Sequence, residues 1–143
     1  MHMILYLDLR RDEVTIAALD ANDAKTARWS VLSGDNMIGR ALDKAKKAFG
    51  LLRKNPSCVV LAVNAPEAVR NVSWSGVRQG VATANTLAFA WGVPVASVQV
   101  CGDESREAVA ELALKAAEGA KKGEWISAIY SGEPSITKAK NIL

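Results

Sequence analysis

The chain has 143 residues, of which half are hydrophobic and 23% are charged, which is ordinary for a soluble globular protein. Its net charge of +3 is mild, and no apolar run reaches the roughly 20 residues that a membrane-spanning helix needs. Residues 1–19 alternate in polarity and carry early charges, which is typical of paired strands rather than of a signal peptide. We therefore expect a cytoplasmic domain without membrane contact.

Three β-rich segments open the chain, and short polar turns separate them. They are MILYLDL (3–9), EVTIAALD (13–20) and TARWSVL (26–32). Segments of this length, joined by turns of this chemistry, predict an antiparallel meander of three strands.

The spacing of apolar residues then changes to three and four over residues 34–54, which predicts an amphipathic helix. The apolar positions are Ile38, Ala41, Leu42, Ala45, Phe49 and Leu52. Ser33 or Asp35 can cap the start of this helix, and Pro56 stops it. The continuous apolar run SCVVLAV (57–63) follows and predicts a strand buried on both faces.

Two further helices flank one more buried strand. A helix over 75–91 precedes the strand PVASVQV (94–100), and a last helix spans 103–122. The expected caps of this last helix are Asp103 or Ser105 at its start and Gly123 beyond its end.

The resulting order of elements, β-β-β-α-β-α-β-α, is typical of the α/β ribonuclease-H-like fold. It is also the order of one lobe in the superfamily of actin, Hsp70 and sugar kinases, the actin-like ATPase lobe. Right-handed crossovers between the later strands place helices over the faces of a mixed sheet. We predict one such lobe over residues 1–123 and a C-terminal strand or tail over 124–143.

The turn after the first strand is the first candidate site. Asp8 ends this strand, at the place where actin-like lobes put an acid followed by small hydroxyl residues around phosphate and Mg²⁺. Here the acid is followed by Leu9, Arg10 and Arg11. Arginine can pair with phosphate, but a loop that approaches phosphate through its backbone needs glycine. The sequence therefore favours an isolated or surface-paired carboxylate at Asp8 over a nucleotide site.

The start of the helix over 75–91 is the second candidate. Ser73 or Ser75 can cap it, and the free backbone N–H groups beside Gly76 and Arg78 suit an anion. Together with the first turn, these residues form a candidate vestigial phosphate loop. Its members are Asp8, Arg10, Ser73, Ser75, Gly76 and Arg78.

Small residues recur every four positions along the same helix. They are Gly76, Gly80, Ala84 and Ala88, and we call them the small-residue row. Each glycine costs about 1 kcal/mol relative to alanine in a helix, which is understandable where another backbone comes close. That backbone belongs either to a partner chain or to the chain's own sheet, and the sequence leaves both open.

The segment from Ser73 to Arg78, with Gly80, resembles the S-F-T-G-[LV]-R-x-G segment of the TsaB family, also called YeaZ. As in that family, a helix follows and ends in a glycine, a proline and a buried strand. The resemblance covers roughly residues 1–100. The family's acid–Thr turn is replaced at Leu9 to Arg11, its Gly-Pro-Gly is replaced by residues 70–72, and its second lobe is missing. The chain therefore resembles a minimal member that keeps chiefly the N-terminal lobe.

This resemblance implies a non-catalytic role without a cofactor or a metal. TsaB-like proteins pair with TsaD-like proteins and, with a TsaE-like ATPase, support threonylcarbamoyl transfer to tRNA, which this chain would meet only through the complex. The implied partner interface comprises Ile38, Leu42, Gly76, Val77, Gly80, Val81, Ala84 and Ala88, on helices 34–54 and 75–91. Without its partner, the same surface is expected to form a homodimer. Independently, the only histidine is His2, so neither a histidine-based metal cluster nor a Ser–His or Cys–His pair can be assembled.

A Mg²⁺-dependent ribonuclease-H-like nuclease is the alternative function, because that chemistry needs only converging carboxylates. Asp8, Glu67 and either Asp103 or Glu107 follow the order in which such enzymes place their acids.

The basic residues of one helix and the two cysteines also bear on function. Lys44, Lys46, Lys47, Arg53 and Lys54 lie on one predicted helix, where they either form a solvated face or meet tRNA phosphates. Cys58 and Cys101 are expected at opposite ends of parallel strands, too far apart for a disulfide.

Overall fold

The computed structural model describes residues 3–11, 13–51, 55–65 and 74–127, without the side chains of 24–26, 37–38, 48–51 and 74–75. It contains five strands and three helices in the predicted order. They are β1 (Met3–Asp8), β2 (Val14–Asp20), β3 (Asp23–Leu32), α1 (Met37–Leu51), β4 (Cys58–Asn64), α2 (Trp74–Trp91), β5 (Val95–Val100) and α3 (Arg106–Glu118). Within the described ranges, no helix has the length and apolarity to cross a membrane.

The strands form one mixed sheet in the order β3-β2-β1-β4-β5. β1 and β2 are antiparallel, as are β2 and β3, which confirms the predicted meander. β4 runs parallel to β1, with Leu5 opposite Val59, and β5 runs parallel to β4, with Asn64 opposite Val100. The carboxyl ends of β1, β4 and β5 therefore meet at one edge of the sheet, which we call the carboxyl edge.

Both faces of the sheet are covered, because alternate side chains of a strand point to opposite sides. Leu5 and Leu61 belong to the core under α1 and α2, whereas Tyr6 and Val60 belong to the core under α3. The continuous apolar run of β4 is buried along its whole length, as predicted for a strand covered on both faces.

The ends of some elements differ from the prediction. β3 begins at Asp23 rather than at residue 26, and its pairing with β2 shifts register near that end. α3 begins after Ser105, whose hydroxyl accepts a hydrogen bond from the Ala108 N–H, and it ends at Gly119. Asp103 therefore lies outside the helix, and Gly123 lies in a later turn.

Residues 124–127 form no strand, and they pack beside α2. The Asn85 amide donates to the Ile126 carbonyl at 2.9 Å and accepts from the Ile126 N–H at 3.2 Å. Ile126 thereby joins the core under α1 and α2. The remainder of the predicted tail, residues 128–143, lies outside the described residues.

Both cysteines are free thiols. Cys58 begins β4 and Cys101 follows β5, so the parallel strands place them at opposite ends of the sheet, as predicted. Burial raises the pKa of Cys58 to about 11, which keeps that thiol protonated and unreactive.

Candidate functional site

Three strand ends supply the groups at the carboxyl edge. Asp8 ends β1, Asn64 ends β4 and Val100 ends β5. Arg10 follows β1 by two residues, and its side chain returns to this edge with only 3% of its surface exposed. A polar side chain so fully buried needs partners for its N–H groups, and the three strand ends provide them.

Arg10 binds Asp8 through two side-chain nitrogens. Nε donates to Oδ1 at 2.9 Å and Nη2 donates to Oδ2 at 2.8 Å, the forked pairing that arginine forms with a carboxylate. The Arg10 backbone N–H donates to the same Oδ1 at 3.0 Å. Nη1 reaches across the sheet and donates to Asn64 Oδ1 and to the Val100 carbonyl, both at 3.1 Å. One side chain thus joins the ends of three strands.

The charge of this cluster is fixed by its surroundings. Burial by itself lowers the pKa of Arg10, but hydrogen bonds to Asp8 and the charge of Asp8 outweigh burial and raise it above its usual value. Arg10 is therefore a permanent cation that neutralises Asp8. Burial would raise the pKa of nearby Glu104, yet backbone N–H donors from Cys101 and Gly102 and the charge of Arg10 lower it.

This arrangement disfavours the binding of a divalent metal ion at Asp8. Both Asp8 oxygens accept hydrogen bonds from Arg10, and the guanidinium fills the space between the three strand ends. A divalent cation approaching Asp8 would meet a positive charge at contact distance. The sequence favoured an isolated or surface-paired carboxylate at Asp8. Asp8 is paired, but its partner Arg10 is buried, with only 3% of its surface exposed.

The described members of the candidate phosphate loop are distributed as follows. Asp8 and Arg10 are bonded to each other at the end of β1, and Gly76 and Arg78 lie in the first turns of α2. Gly76 is buried and the Arg78 side chain is exposed. Ser73 and the side chain of Ser75 lie outside the described residues.

A small cavity of about 190 Å³ adjoins the Arg10–Asp8 pair on the α3 side. Its wall includes Trp29, which packs edge-on against Tyr6 and lies 5.4 Å from the Arg106 Cζ. Three arginines and three acids line it, so their charges balance. These residues are Arg10, Arg11, Arg106, Asp8, Glu13 and Glu104.

The acids of the nuclease alternative are not assembled around this cavity. Among its lining residues, Asp8 is the only one of the four, since Asp103 and Glu107 are exposed elsewhere and Glu67 lies outside the described residues. Glu104 lines the cavity instead, but both its oxygens accept backbone N–H groups at 2.8 Å. The oxygens of Asp103 and Glu104 and the Cys101 sulfur lie within 4.8 Å of one another, and the loop's own hydrogen bonds account for that cluster.

Two residues of this site, Asn64 and Glu104, were not predicted from the sequence. Asn64 could have been identified from the sequence, since it is a polar residue at the end of an otherwise apolar strand and needs a partner when it is buried. Glu104 could not, because an acid between a strand and a helix is common at protein surfaces.

The small-residue row faces the chain's own sheet. A Cβ added to Gly80 would lie 3.1 Å from Leu61 Cδ1 and 3.5 Å from Leu9 Cβ. Ala84 and Ala88 have no exposed surface, and Gly76 is buried as well. The prediction of closest approach by a partner's backbone at this row is therefore corrected, because the sheet already occupies that place.

The other predicted interface residues are distributed as follows. Val77 is buried, and Val81 is partly buried against the core under α1 and α2. Leu42 on α1 is half-buried, and the side chain of Ile38 lies outside the described residues. Leu42 and Val81 thus remain partly accessible.

The opposite side of α2 is exposed and, beyond Arg78, uncharged. We call it the outer face of α2, and it comprises Gln79, Ala82, Thr86, Phe89 and Ala90. Phe89 is 76% exposed, and its ring centroid lies 6.3 Å from that of Trp125, which is 53% exposed. No charged residue occurs between Arg78 and Asp103, which is unusual for a surface helix and the strand after it.

No family model matches the chain, and no curated protein matches it in sequence. Several solved structures are similar to it in fold. YeaZ from Pseudomonas aeruginosa superposes with a TM-score of 0.52 and 18% identity, over 69% of this chain and 44% of that chain. An uncharacterized protein with similarity to the peptidase YeaZ from Pseudomonas aeruginosa gives a TM-score of 0.53, at the same identity and coverage.

RuvC from T. thermophilus, in complex with a Holliday junction substrate, is also similar. Its TM-score is 0.55 at 14% identity, over 85% of this chain and 99% of that chain. At sequence identities this low, the structural similarity establishes the fold alone. The chain spans less than half the length of the YeaZ structures that it matches. The chain has the ribonuclease-H-like fold, which it shares with YeaZ and RuvC.

Proposed function

We propose that this chain is a non-catalytic partner subunit of the complex that forms threonylcarbamoyladenosine on tRNA. In this proposal it binds a TsaD-like protein through α1 and α2, a TsaE-like ATPase assists, and tRNA is met through the complex. The observation that carries the proposal is the outer face of α2, an exposed and uncharged helix surface with Phe89 at 76% exposure. The similarity in fold to YeaZ supports the choice of partner.

The chemistry of the outer face of α2 is that of an interface centre. Interface centres lack charged residues and are enriched in aromatic side chains, which bury much area at a low entropic cost. α2 has 18 residues and is therefore about 27 Å long, enough to run along a partner's helix. Ala82 and Thr86 are small, so a partner could approach closely beside the anchor Phe89.

The small-residue row has no part in this contact, because it is buried between α2 and the sheet. On α1 the partner is expected to contact Leu42, because this side chain is only half-buried. Ile38, one helical turn before Leu42, stays a prediction.

The Arg10 cluster supports the non-catalytic half of the proposal. In this fold the first strand carries the acid that would bind metal or phosphate, and here that acid is neutralised by a buried arginine. The position is filled by the chain itself, so a catalytic role would need a different site.

Phe89→Arg and Ala82→Arg are each expected to weaken binding to the TsaD-like protein of the same organism at least about 30-fold, the loss typical of a central interface residue. Titration calorimetry measures this loss. Leu112→Arg is the matched control, since Leu112 is an exposed apolar residue on α3, across the sheet. Circular dichroism melts of the three variants confirm that each is folded. Binding of both α2 variants with the affinity of the original chain would place the interface elsewhere.

Self-association through the same face is part of the proposal. Two copies would meet about a two-fold axis, with one outer face of α2 against the other. Light scattering of the free chain tests this, because Phe89→Arg should then be monomeric.

A Mg²⁺-dependent nuclease is the second candidate, favoured by the similarity to nearly the whole RuvC chain. Such a nuclease holds two metals about 3.5–4 Å apart between converging carboxylates. Since Arg10 engages both oxygens of Asp8, we expect no Mg²⁺-dependent cleavage of a four-way DNA junction above the level of an Asp8→Asn variant. Gel electrophoresis of the products measures it. Cleavage that disappears in Asp8→Asn would establish the nuclease instead.

A further inference from the structure

A second concave surface lies between α1 and the strands β2 and β3. It is a groove of about 530 Å³, and we call it the α1 groove. Its floor is apolar and mostly buried, with Leu5, Ile16 and Leu32 among its residues. Its rim is charged. Neither the Arg10 cluster nor the outer face of α2 contributes to it.

The charge on the rim is mainly positive. Arg28 stands on β3, and Arg40, Lys44 and Lys47 stand on α1. Asp43 is the one carboxylate among the residues that line the groove. The groove's net charge of +3 equals that of the whole chain, so the positive charge is concentrated here rather than spread evenly.

The cations form a line rather than a cluster. Arg40, Lys44 and Lys47 are spaced four and three residues apart, so they share one side of α1 and extend over about 10 Å of its axis. The Arg40 guanidinium is held at one end, where Nη1 donates to the Ser33 carbonyl at 2.6 Å. Arg28 faces this line from β3, and the Ser30 hydroxyl lies on the same wall.

We propose that the α1 groove binds the phosphate backbone of a nucleic acid. A line of cations suits a polymer with a charge at each unit, whereas a single phosphate would be bound better by cations that converge on one point. Long cationic side chains can lay their apolar stems along such a floor while their charged ends stay in water.

The groove is separate from the proposed partner interface. Leu42 lies two residues from Lys44 and therefore about 200° around the axis of α1. The outer face of α2 contributes no residue to the groove. The inference therefore does not rest on the proposed function, and either one can fail without the other.

Fluorescence anisotropy with a labelled RNA stem-loop, and with a DNA duplex of matching sequence, tests the inference at 50 to 200 mM salt. With four phosphate contacts, the logarithm of the affinity should fall with the logarithm of salt concentration at a slope of about −3 to −4. Lys44→Glu and Arg28→Glu are each expected to weaken binding at least about 10-fold and to reduce the slope by about one. Tighter binding of the RNA or of the DNA identifies which backbone the groove accepts.

Lys115→Glu is the control, because Lys115 is exposed on α3, across the sheet, and the charge change is the same. Equal weakening by Lys115→Glu would mean a diffuse attraction and would overturn the inference. Absence of salt-dependent binding would do the same, as would displacement of RNA by polyglutamate at equal charge concentration. Thermal melts show whether Lys44→Glu and Arg28→Glu are folded, and calorimetry with the TsaD-like protein shows whether partner binding is retained.

Discussion

Arg10→Met is expected to lower the free energy of unfolding by about 3–5 kcal/mol, the usual cost of removing one member of a buried ion pair. Methionine fills a similar volume but donates no hydrogen bond. Asp8 would lose its two side-chain donors, and Asn64 Oδ1 and the Val100 carbonyl would lose one each. Urea unfolding followed by circular dichroism measures the change.

Two further variants test whether the effect is specific to Arg10. Arg11→Met removes the neighbouring cation, which is exposed, and should change stability by no more than about 0.5 kcal/mol. In the double variant Asp8→Asn/Arg10→Met, the loss of unfolding free energy should be smaller than the sum of the losses in the two single variants, because both residues belong to one network. If Arg10→Met costs no more than Arg11→Met, Arg10 does not join the three strands as described.

Ala84→Arg is expected to prevent folding, whereas Ala82→Arg, two residues earlier on the same helix, leaves the fold intact. Ala84 has no exposed surface and lies in the core under α1 and α2, so an arginine there would bury a charge without a partner. Ala82 lies on the outer face of α2 and is exposed. Circular dichroism melts of the two purified variants measure the difference.

The pair of substitutions also decides where α2 meets other chains. The account predicts that Ala82→Arg is folded and fails to bind the TsaD-like protein. A folded Ala84→Arg that fails to bind would return the interface to the small-residue row. Gly80→Leu is also expected to destabilise the fold, but less than Ala84→Arg. It should lower the free energy of unfolding by about 1–3 kcal/mol, since the leucine side chain would overpack against Leu61.

The sequence was sufficient to predict the elements and their order. β4 was identifiable because an apolar run of that length can be buried only on both faces, and α1 because its apolar residues recur at three and four. The parallel and antiparallel pairings followed from the length of the connections. The ends of α3 were less certain, because Asp103, Ser105, Gly119 and Gly123 are all capable of capping.

The sites were harder to predict because they depend on residues that are distant in sequence. Arg10 bonds to a residue 54 positions away and to another 90 positions away, so nothing in the local pattern marks it as buried. The small-residue row was visible, but its spacing does not say whether a sheet or a partner lies against it. In the basic cluster of α1, Lys44 and Lys47 line a groove and Lys46 does not, which becomes clear once Arg28 of β3 is placed opposite them.

Reconstitution of tRNA modification is the sharpest test of the proposed partner role. The TsaD-like and TsaE-like proteins of the same organism are combined with ATP, a donor of the threonylcarbamoyl group and unmodified tRNA, with or without this chain. Mass spectrometry of the digested nucleosides measures threonylcarbamoyladenosine. The account predicts that the modified nucleoside forms when this chain is added, and that Phe89→Arg fails to support it while Arg11→Met succeeds. Equal modification with and without the chain would contradict the account.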